Sequence, residues 1–513
     1  MKVYFHSFWS NLETGVFCRI LSLALSQQVV PGSFEESEIM MESLFGETGL
    51  YAKPWKYTFL FSGESERVTT GFLGSRVRDQ YSCILCGKPT EGNTVNMPLY
   101  LLALDEIGGI CPRPIRVPER NVVAVISNGN NPDGRNIFLD RLHEVIPIDF
   151  AGRYRNNVPR IESHFLSEAF FQEIAKYKFM VTMENSKCGT YITEKIIQGF
   201  AAGIVPIYWG SDHVETYFNP DRFIHVKSLD QDSIDAAIER IRELMEHPAK
   251  YLEMIQQPVF RHQITEEEIA GDIRKALSKT YFMTFGGPTQ VFHNQVKRIM
   301  NEAVGFHTFD EVFGYTETYL QNDCTFWAKH GDFIQSNPRG YGYWIWKPYL
   351  IYERLQRINE GDFLVYCDAG CTINPGGLKR FQEYKNVLDA SPLGIIAFEL
   401  THLEKTYTKR KVYTYFGSTP EEDTRRQCMA TVVLIKKTAR SLDTVRQWYE
   451  IASHHELIND TLEEEHPDFK DHRHDQSIWS MLVRENAVVL PDETYFGNGY
   501  WDERFPFWAT RRR

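Results

Sequence analysis

Residues 179–211, FMVTMENSKCGTYITEKIIQGFAAGIVPIYWGS, constrain the fold more than any other stretch of this chain. Two apolar runs, Phe179–Met183 and Ile204–Tyr208, flank a polar turn and a helical segment. Runs that are apolar on both faces read as buried parallel strands. Thr193 stands where a helix N-cap belongs, and Gly203 where the helix should stop. The turn and helix start carry Glu184, Asn185, Ser186, Tyr191, Glu194 and Lys195. Free N–H groups at such a helix start, with Lys195 in the first turn, suit a diphosphate. Glu194 suits ribose hydroxyls. An ordinary βαβ unit with a solvated charged turn accounts for the same pattern.

The alternation extends in both directions. Residues 1–115 hold a strand (Lys2–Phe5), an apolar helix within Val16–Val30, a strand at Tyr57–Phe61 and the MPLYLLAL segment, and read as one Rossmann-like lobe. CPRPIRV, Cys111–Val117, is a linker. Residues 116–279 alternate again: strand Val122–Ile126, helix Arg135–Glu144, strand Val145–Ile148, helix Ser167–Lys176, the segment above, then charged helices at Ser233–Glu246 and Glu266–Ser278. This predicts α/β architecture with parallel sheets. A new strand at Thr280 opens a further unit, 280–513, and 513 residues suit about three domain-sized pieces.

A net charge of −12 argues against nucleic acid as a partner, so any diphosphate must meet local positive charge. No run reaches transmembrane length and no signal peptide pattern opens the chain, which predicts a cytoplasmic protein. Nine scattered cysteines suggest free thiols in a reducing compartment. Cys83 and Cys86 form a lone C-x-x-C, read as half-buried strand residues rather than a zinc site.

The E-N-S turn followed by Y-I-T-E-K resembles the donor-binding motif of the α1,3/α1,4-fucosyltransferase family. GSDHVETYFNPDRFIHV resembles the end of that family's donor domain, and SNGNNPDGRNIFLDRL the segment that supplies a diphosphate-binding arginine, here Arg135. FSGES and MPLY resemble acceptor-domain elements of its bacterial members. The likeness covers roughly the first 280 residues. It implies a GT-B fold of two Rossmann-like lobes, an acceptor lobe (1–115) and a GDP-fucose lobe (116–279). It implies inverting transfer of L-fucose from GDP-fucose to a glycan acceptor, in a bacterial or viral type of enzyme without the usual membrane anchor. Glu64 matches the position of the catalytic base, with Glu66 a nearby competitor. Arg135 and Lys195 would neutralise the diphosphate without a metal, Glu194 would orient ribose, and Tyr191 and Asn185 would line the nucleotide or the fucose. Glu184 would hold the fucose, or only the turn by accepting N–H bonds.

Residues 280–513 centre on INEGDFLVYCDAGCTINPGG, residues 358–377. An apolar strand, Phe363–Tyr366, ends in Cys367-Asp368-Ala369-Gly370. This is similar to the D-x-D-type motif of GT-A nucleotide-sugar transferases, with Gly370 where the second acid would stand. YGYWIWKPYLIYERL, residues 341–355, resembles a segment preceding that motif in poorly characterised glycosyltransferases, with a helix that could begin at Pro348. DHRHDQSIWSML, residues 471–482, resembles the D-Q element of GT-A enzymes. The resemblance implies a GT-A-like domain holding Mn2+ or Mg2+ at Asp368, with His472 or His474 as a further ligand. Asp475 would be the base for inversion, or Gln476 would sit near the anomeric carbon for retention. The donor would be a second nucleotide sugar, UDP-linked as the prior. The alternative is a non-catalytic glycan- or nucleotide-binding module.

Overall fold

The computed structural model describes every residue except 10–12, 66–79, 130–133, 495–501 and 513. The chain divides into two compact units, Met1–Leu277 and Ser278–Arg513. No helix among the described residues is long and apolar enough to cross a membrane.

Unit 1 holds two parallel sheets. The first comprises β1 (Lys2–His6), β2 (Val30–Pro31), β3 (Ile39–Ser43), β4 (Tyr57–Ser62), β5 (Cys83–Cys86) and β6 (Thr94–Asn96), in the order β2-β1-β3-β4-β5-β6. The second comprises β7 (Arg120–Ala124), β8 (Ile148–Phe150), β9 (Tyr177–Val181), β10 (Val205–Tyr208) and β11 (Ile224–His225), in the order β11-β10-β9-β7-β8. Every pairing in both is parallel. β3, β4 and β5 are buried almost throughout, as strands covered on both faces by crossover segments must be.

Several boundaries differ from the sequence expectation. The helix Arg135–Val145 runs through Val145, and the following strand starts only at Ile148. β9 starts two residues early. Pairing nevertheless continues past its end, because the Thr182 N–H donates to Ile207 O at 2.9 Å and the Glu184 N–H to Trp209 O at 2.8 Å. The helix Glu266–Leu277, expected in the second lobe, packs into the core of the first. Its stripe Ile269, Ala270 and Ile273 meets Val16, Phe17 and Ile20 of the helix Gly15–Leu25, and Glu266 pairs with Arg19. Burying three apolar side chains on a matching helical face outweighs sequence proximity, each large one contributing about 1.5–3 kcal/mol.

Cys83 and Cys86 are both fully buried rather than half-buried. They sit in different core clusters, one on each face of the sheet. Positions i and i+3 of a strand face opposite sides, so this C-x-x-C cannot chelate.

Unit 2 is built on a mixed sheet: β12 (Thr280–Gly286), β13 (Glu311–Thr316), β14 (Phe363–Cys367), β16 (Ile395–Leu403), β17 (Arg426–Cys428), β18 (Val432–Lys436) and β19 (Val488–Pro491), in the order β13-β12-β14-β18-β16-β17 with β19 on β16. β15 (Thr372–Ile373) pairs with β20 (Phe507–Trp508). Antiparallel β18 at the centre breaks the all-parallel pattern. The buried indoles of Trp448 and Trp479 lie 4.5 Å apart in the core.

Candidate active site

In unit 1 the polar turn after β9 leads into the helix Glu194–Ala201. Thr193 caps it, its hydroxyl accepting the Lys195 N–H at 3.4 Å. The helix buries Ile196, Ile197 and Phe200, and Gly203 beyond its end takes φ +78°, the left-handed stop that favours glycine. Glu184 organises the helix start from below. It is 0 % exposed. One oxygen accepts the Thr193 N–H at 2.7 Å; the other accepts the Thr193 hydroxyl at 2.8 Å and Lys195 Nζ at 3.0 Å. Both oxygens are occupied and inaccessible, an arrangement that holds the turn rather than a sugar. Burial pushes the Glu184 carboxyl up, opposed by Lys195. Burial also works against the Lys195 ammonium, but Glu184 and Glu194 outweigh it and hold its pKa above the ordinary lysine value. Lys195 keeps 23 % of its side chain exposed, and Glu194 lies 3.6 Å from its ammonium.

Arg135 opens the helix Arg135–Val145 and is 1 % exposed. Its Nη1 donates to Asn185 Oδ1 at 2.9 Å and Met183 O at 3.4 Å, and Nη2 to Asn128 O at 3.1 Å. Burial lowers its pKa, and the nearby Glu184 raises it again. The guanidinium therefore lies behind the turn, not on its open face. Asn185 is exposed in front of it. Two buried polar atoms here have no hydrogen-bond partner among the described residues: Arg135 Nε and the hydroxyl of Ser186, a residue 2 % exposed.

On the first sheet, Glu64 lies two residues beyond β4 and is half-buried. Its N–H donates to Ser62 Oγ at 3.3 Å, and its carbonyl accepts from the same hydroxyl at 3.3 Å. Its charge reaches Tyr191, whose pKa is raised by burial first, then by Glu184 and, more weakly, by Glu64. Gly87 makes a close approach to the turn possible: a Cβ there would come within 3.1 Å of the Thr190 carbonyl. Asn96 at the end of β6 accepts the Thr190 hydroxyl at 2.6 Å and donates to Tyr217 OH at 2.8 Å. Glu66 falls outside the described residues.

In unit 2 the expected metal ligands do not converge on an ion. Asp368 follows β14, and its Oδ1 accepts the Tyr366 hydroxyl at 2.6 Å and faces Lys347 Nζ at 3.1 Å. His474 donates Nδ1–H to Ile458 O at 2.7 Å, and its ring lies against Tyr343 and Trp344 at 4.8 and 5.4 Å. His472 bonds Leu457 O at 2.9 Å. Among the described residues no three His, Cys, Asp or Glu side chains form a metal-binding group. One carboxylate already shared with a lysine is a poor donor set for Mn2+ or Mg2+, which take several oxygens. The Lys347 ammonium lies beside the Asp368 carboxylate, and His474 is engaged with Ile458 O.

That ammonium belongs to Lys347, inside the YGYWIWKPYLIYERL segment. The helix starts at Trp346, ahead of Pro348, after left-handed residues at Tyr341, Tyr343 and Trp344. Trp346 stacks on Phe285 at 3.9 Å, and this turns Lys347 into the core. Its Nζ contacts Asp368, Asp475 Oδ2 at 3.3 Å and Ala430 O at 3.1 Å. Burial opposes its charge, but the two aspartates outweigh that and raise its pKa. Gln476 is committed elsewhere, accepting the Ala430 N–H at 3.1 Å and donating to Gln427 Oε1 at 2.8 Å.

Asp475, fully enclosed at the start of its helix, is pushed up to about 7 by burial, with Lys347 opposing. The folded chain thus keeps a proton that the unfolded chain releases near pH ~4. The resulting stability is fully present below pH ~4 and lost as pH rises through ~7. Asp475→Asn is expected to flatten the dependence of thermal stability on pH across that window. An unchanged slope would place the proton on another group.

Residues 116–266 match the family model described as glycosyltransferase family 10 (fucosyltransferase) C-term. The α-(1,3)-fucosyltransferase FucT of Helicobacter pylori is 34% identical over 140 residues, 27% of this chain and 27% of that protein. α-(1,3)-Fucosyltransferase B of Drosophila melanogaster is 28% identical over 141 residues, 26% of this chain and 32% of the relative. The chain thus spans about a quarter to a third of the length of these curated relatives. A crystal structure of an α1,3-fucosyltransferase with GDP-fucose covers 54% of this chain and 90% of its own, at 21% identity and a TM-score of 0.42. The family match covers residues 116–266 alone. It contains Arg135, Glu184, Asn185, Tyr191, Glu194 and Lys195. Glu64 and all of unit 2 lie outside it.

Proposed function

We propose that unit 1, with two lobes of GT-B type, transfers L-fucose from GDP-fucose to a glycan hydroxyl with inversion at the anomeric carbon. One observation carries the reading within the family-matched residues. Arg135 Nε and the Ser186 hydroxyl are buried without hydrogen-bond partners next to exposed Asn185, at a turn whose next helix presents Lys195. Unsatisfied buried donors of this kind call for a ligand, and a diphosphate supplies the acceptors. In the reaction, the Glu64 carboxylate takes the proton of the acceptor hydroxyl. The oxygen attacks C1 of fucose, and the C1–O bond to the β-phosphate breaks. Lys195, with Arg135 behind the turn, stabilises the charge that grows on departing GDP. Glu194 orients ribose, and Tyr191 and Asn185 line the donor.

Calorimetric titration with GDP and UDP tests the donor assignment: at the class of site that Lys195→Ala weakens, GDP is expected to bind more tightly, and equal or stronger UDP binding there would sink it. Ser186→Ala sharpens the test. Its hydroxyl holds nothing else among the described residues, so thermal stability should stay unchanged. GDP affinity should fall about fivefold, the worth of one neutral hydrogen bond. Unchanged affinity would remove Ser186 from the site.

For unit 2 we propose a second nucleotide-sugar transferase of GT-A type, making the chain bifunctional. The support is the enclosed cluster Lys347, Asp368 and Asp475 at the carboxyl end of β14, where open α/β sheets take ligands. Two transferases acting on one glycan gain from a tether, which raises the local concentration of the intermediate. A non-catalytic binding module is the alternative. Sugar transfer that survives Lys195→Ala and disappears in Asp368→Ala separates the two; no donor consumption at unit 2 leaves the module.

A further inference from the structure

Five strands of unit 2 end on one edge of the sheet. β12, β13 and β14 are parallel; β18 is antiparallel to both β14 and β16, so β16 runs with β14, and β19 is parallel to β16. Asp368 follows β14 there, His402 lies at the end of β16, and Asp492 follows β19. Basic side chains gather around the same edge. The Arg473 guanidinium lies 4.6 Å from the Tyr407 ring centre, and that ring lies 5.0 Å from His402. Arg473 faces Asp471 at a long 3.8 Å. Lys470 is anchored alongside by its N–H on Thr406 O at 2.9 Å. The C-terminal segment brings in Arg511. The Arg512 N–H and the Thr510 hydroxyl both donate to Gly370 O, at 2.9 and 2.8 Å, and a Cβ on Gly370 would lie 3.4 Å from Arg511 Cα. His402 feels all three cations: burial lowers its pKa first, then Arg473, Lys470 and, more weakly, Arg511, with Asp492 opposing.

The loop at Asp368 is stiff. Arg298 donates to Ala369 O and Cys371 O, both at 2.7 Å, and Glu302 accepts the Ile373 N–H at 2.9 Å. The charge that a divalent ion would place beside Asp368 is already supplied by Lys347. Lys347 Nζ donates to Ala430 O at 3.1 Å and pairs with the buried Asp475 and with Asp368 at 3.3 and 3.1 Å, so Lys347 is a positioning residue that holds these carboxylates.

We propose that this edge binds the diphosphate of a sugar nucleotide through Lys470, Arg473 and Arg511, without a divalent ion. The inference rests on the reading of unit 2 as a nucleotide-sugar site. Guanidinium forks match phosphate oxygens and, with the lysine, neutralise a group of two or more negative charges.

Titration of the full chain with GDP and with UDP in excess EDTA tests it. Two classes of nucleotide site are expected. Lys195→Ala should weaken one; the double variant Arg473→Ala/Arg511→Ala should weaken the other tenfold or more and leave the first intact. Arg473 is half-buried against Tyr407, so the melting temperature of the double variant is measured beside its affinity; Lys470→Glu, at an exposed position, gives an independent loss at the same site. A second class that appears only when Mn2+ or Mg2+ is added would overturn the inference while sparing unit 2 as a nucleotide site. No second class with or without metal would overturn both. A second class indifferent to the arginine and lysine variants would overturn the placement.

Discussion

Replacing Glu64 by Gln is expected to lower the rate of fucose transfer about a hundredfold or more, while GDP binds as before. The amide cannot take the proton of the attacking hydroxyl, and a hundredfold corresponds to about 2.7 kcal/mol of lost transition-state stabilisation. Glu64 sits on the first sheet of unit 1, while the proposed diphosphate contacts come from the second. The substitution should therefore act on kcat and spare GDP affinity. Single-turnover transfer with saturating GDP-fucose, alongside calorimetry with GDP, separates the two quantities. A near-normal rate would move the base to another carboxylate, with Glu66 the first to test.

Glu184→Ala is expected to destabilise unit 1 by about 3 kcal/mol, the lower end of what breaking a buried ion pair costs. The lower end applies because Lys195 retains 23 % side-chain exposure and regains some hydration. The Thr193 N–H and hydroxyl lose their acceptor, and the Lys195 ammonium loses its buried partner while keeping Thr193 Oγ1 at 2.9 Å. The start of the helix Glu194–Ala201 should loosen, and GDP affinity should fall with it, because the groups that face the diphosphate are set by that first turn. Urea unfolding measures the stability, and faster hydrogen exchange at the Thr193 and Lys195 amides would locate the loss. A change below about 1 kcal/mol would mean that the lysine and the cap hold without this carboxylate.

Much of unit 1 was legible from its residues. Apolar runs marked β4, β9 and β10 to within two residues, because strands covered on both faces leave no room for polar side chains. Thr193 and Gly203 marked the ends of their helix, because capping is a local interaction between a side chain and the nearest backbone groups. Reading Glu184 in two ways was as far as the sequence could go. The same glutamate serves a sugar or a turn, and only its complete burial beneath Thr193 and Lys195 separates them. Arg135 illustrates the same limit: its charge was visible, but its position behind Asn185 depends on how the end of β9 meets the helix Arg135–Val145.

Lys347 was the residue the sequence hid most completely. A lysine at a helix start ordinarily reaches water, and nothing in its neighbours says otherwise. Asp368 read as a metal ligand with His472 or His474 beside it, and Asp475 as a base. Which groups meet is set by strand order: β14 lies between β12 and antiparallel β18, and this brings Asp368, Ala430 and the helix starting at Asp475 around one ammonium. The sequence by itself determined the α/β class, the parallel sheets of unit 1, the helix start that carries Lys195 and the residues of the polar turn before it, because periodicity and capping act over a few residues. The tertiary structure alone decided that Glu184 faces inward, that the helix Glu266–Leu277 joins the first sheet, and that a buried lysine holds the two aspartates of unit 2, because these contacts join residues far apart in the chain and form only when whole elements pack.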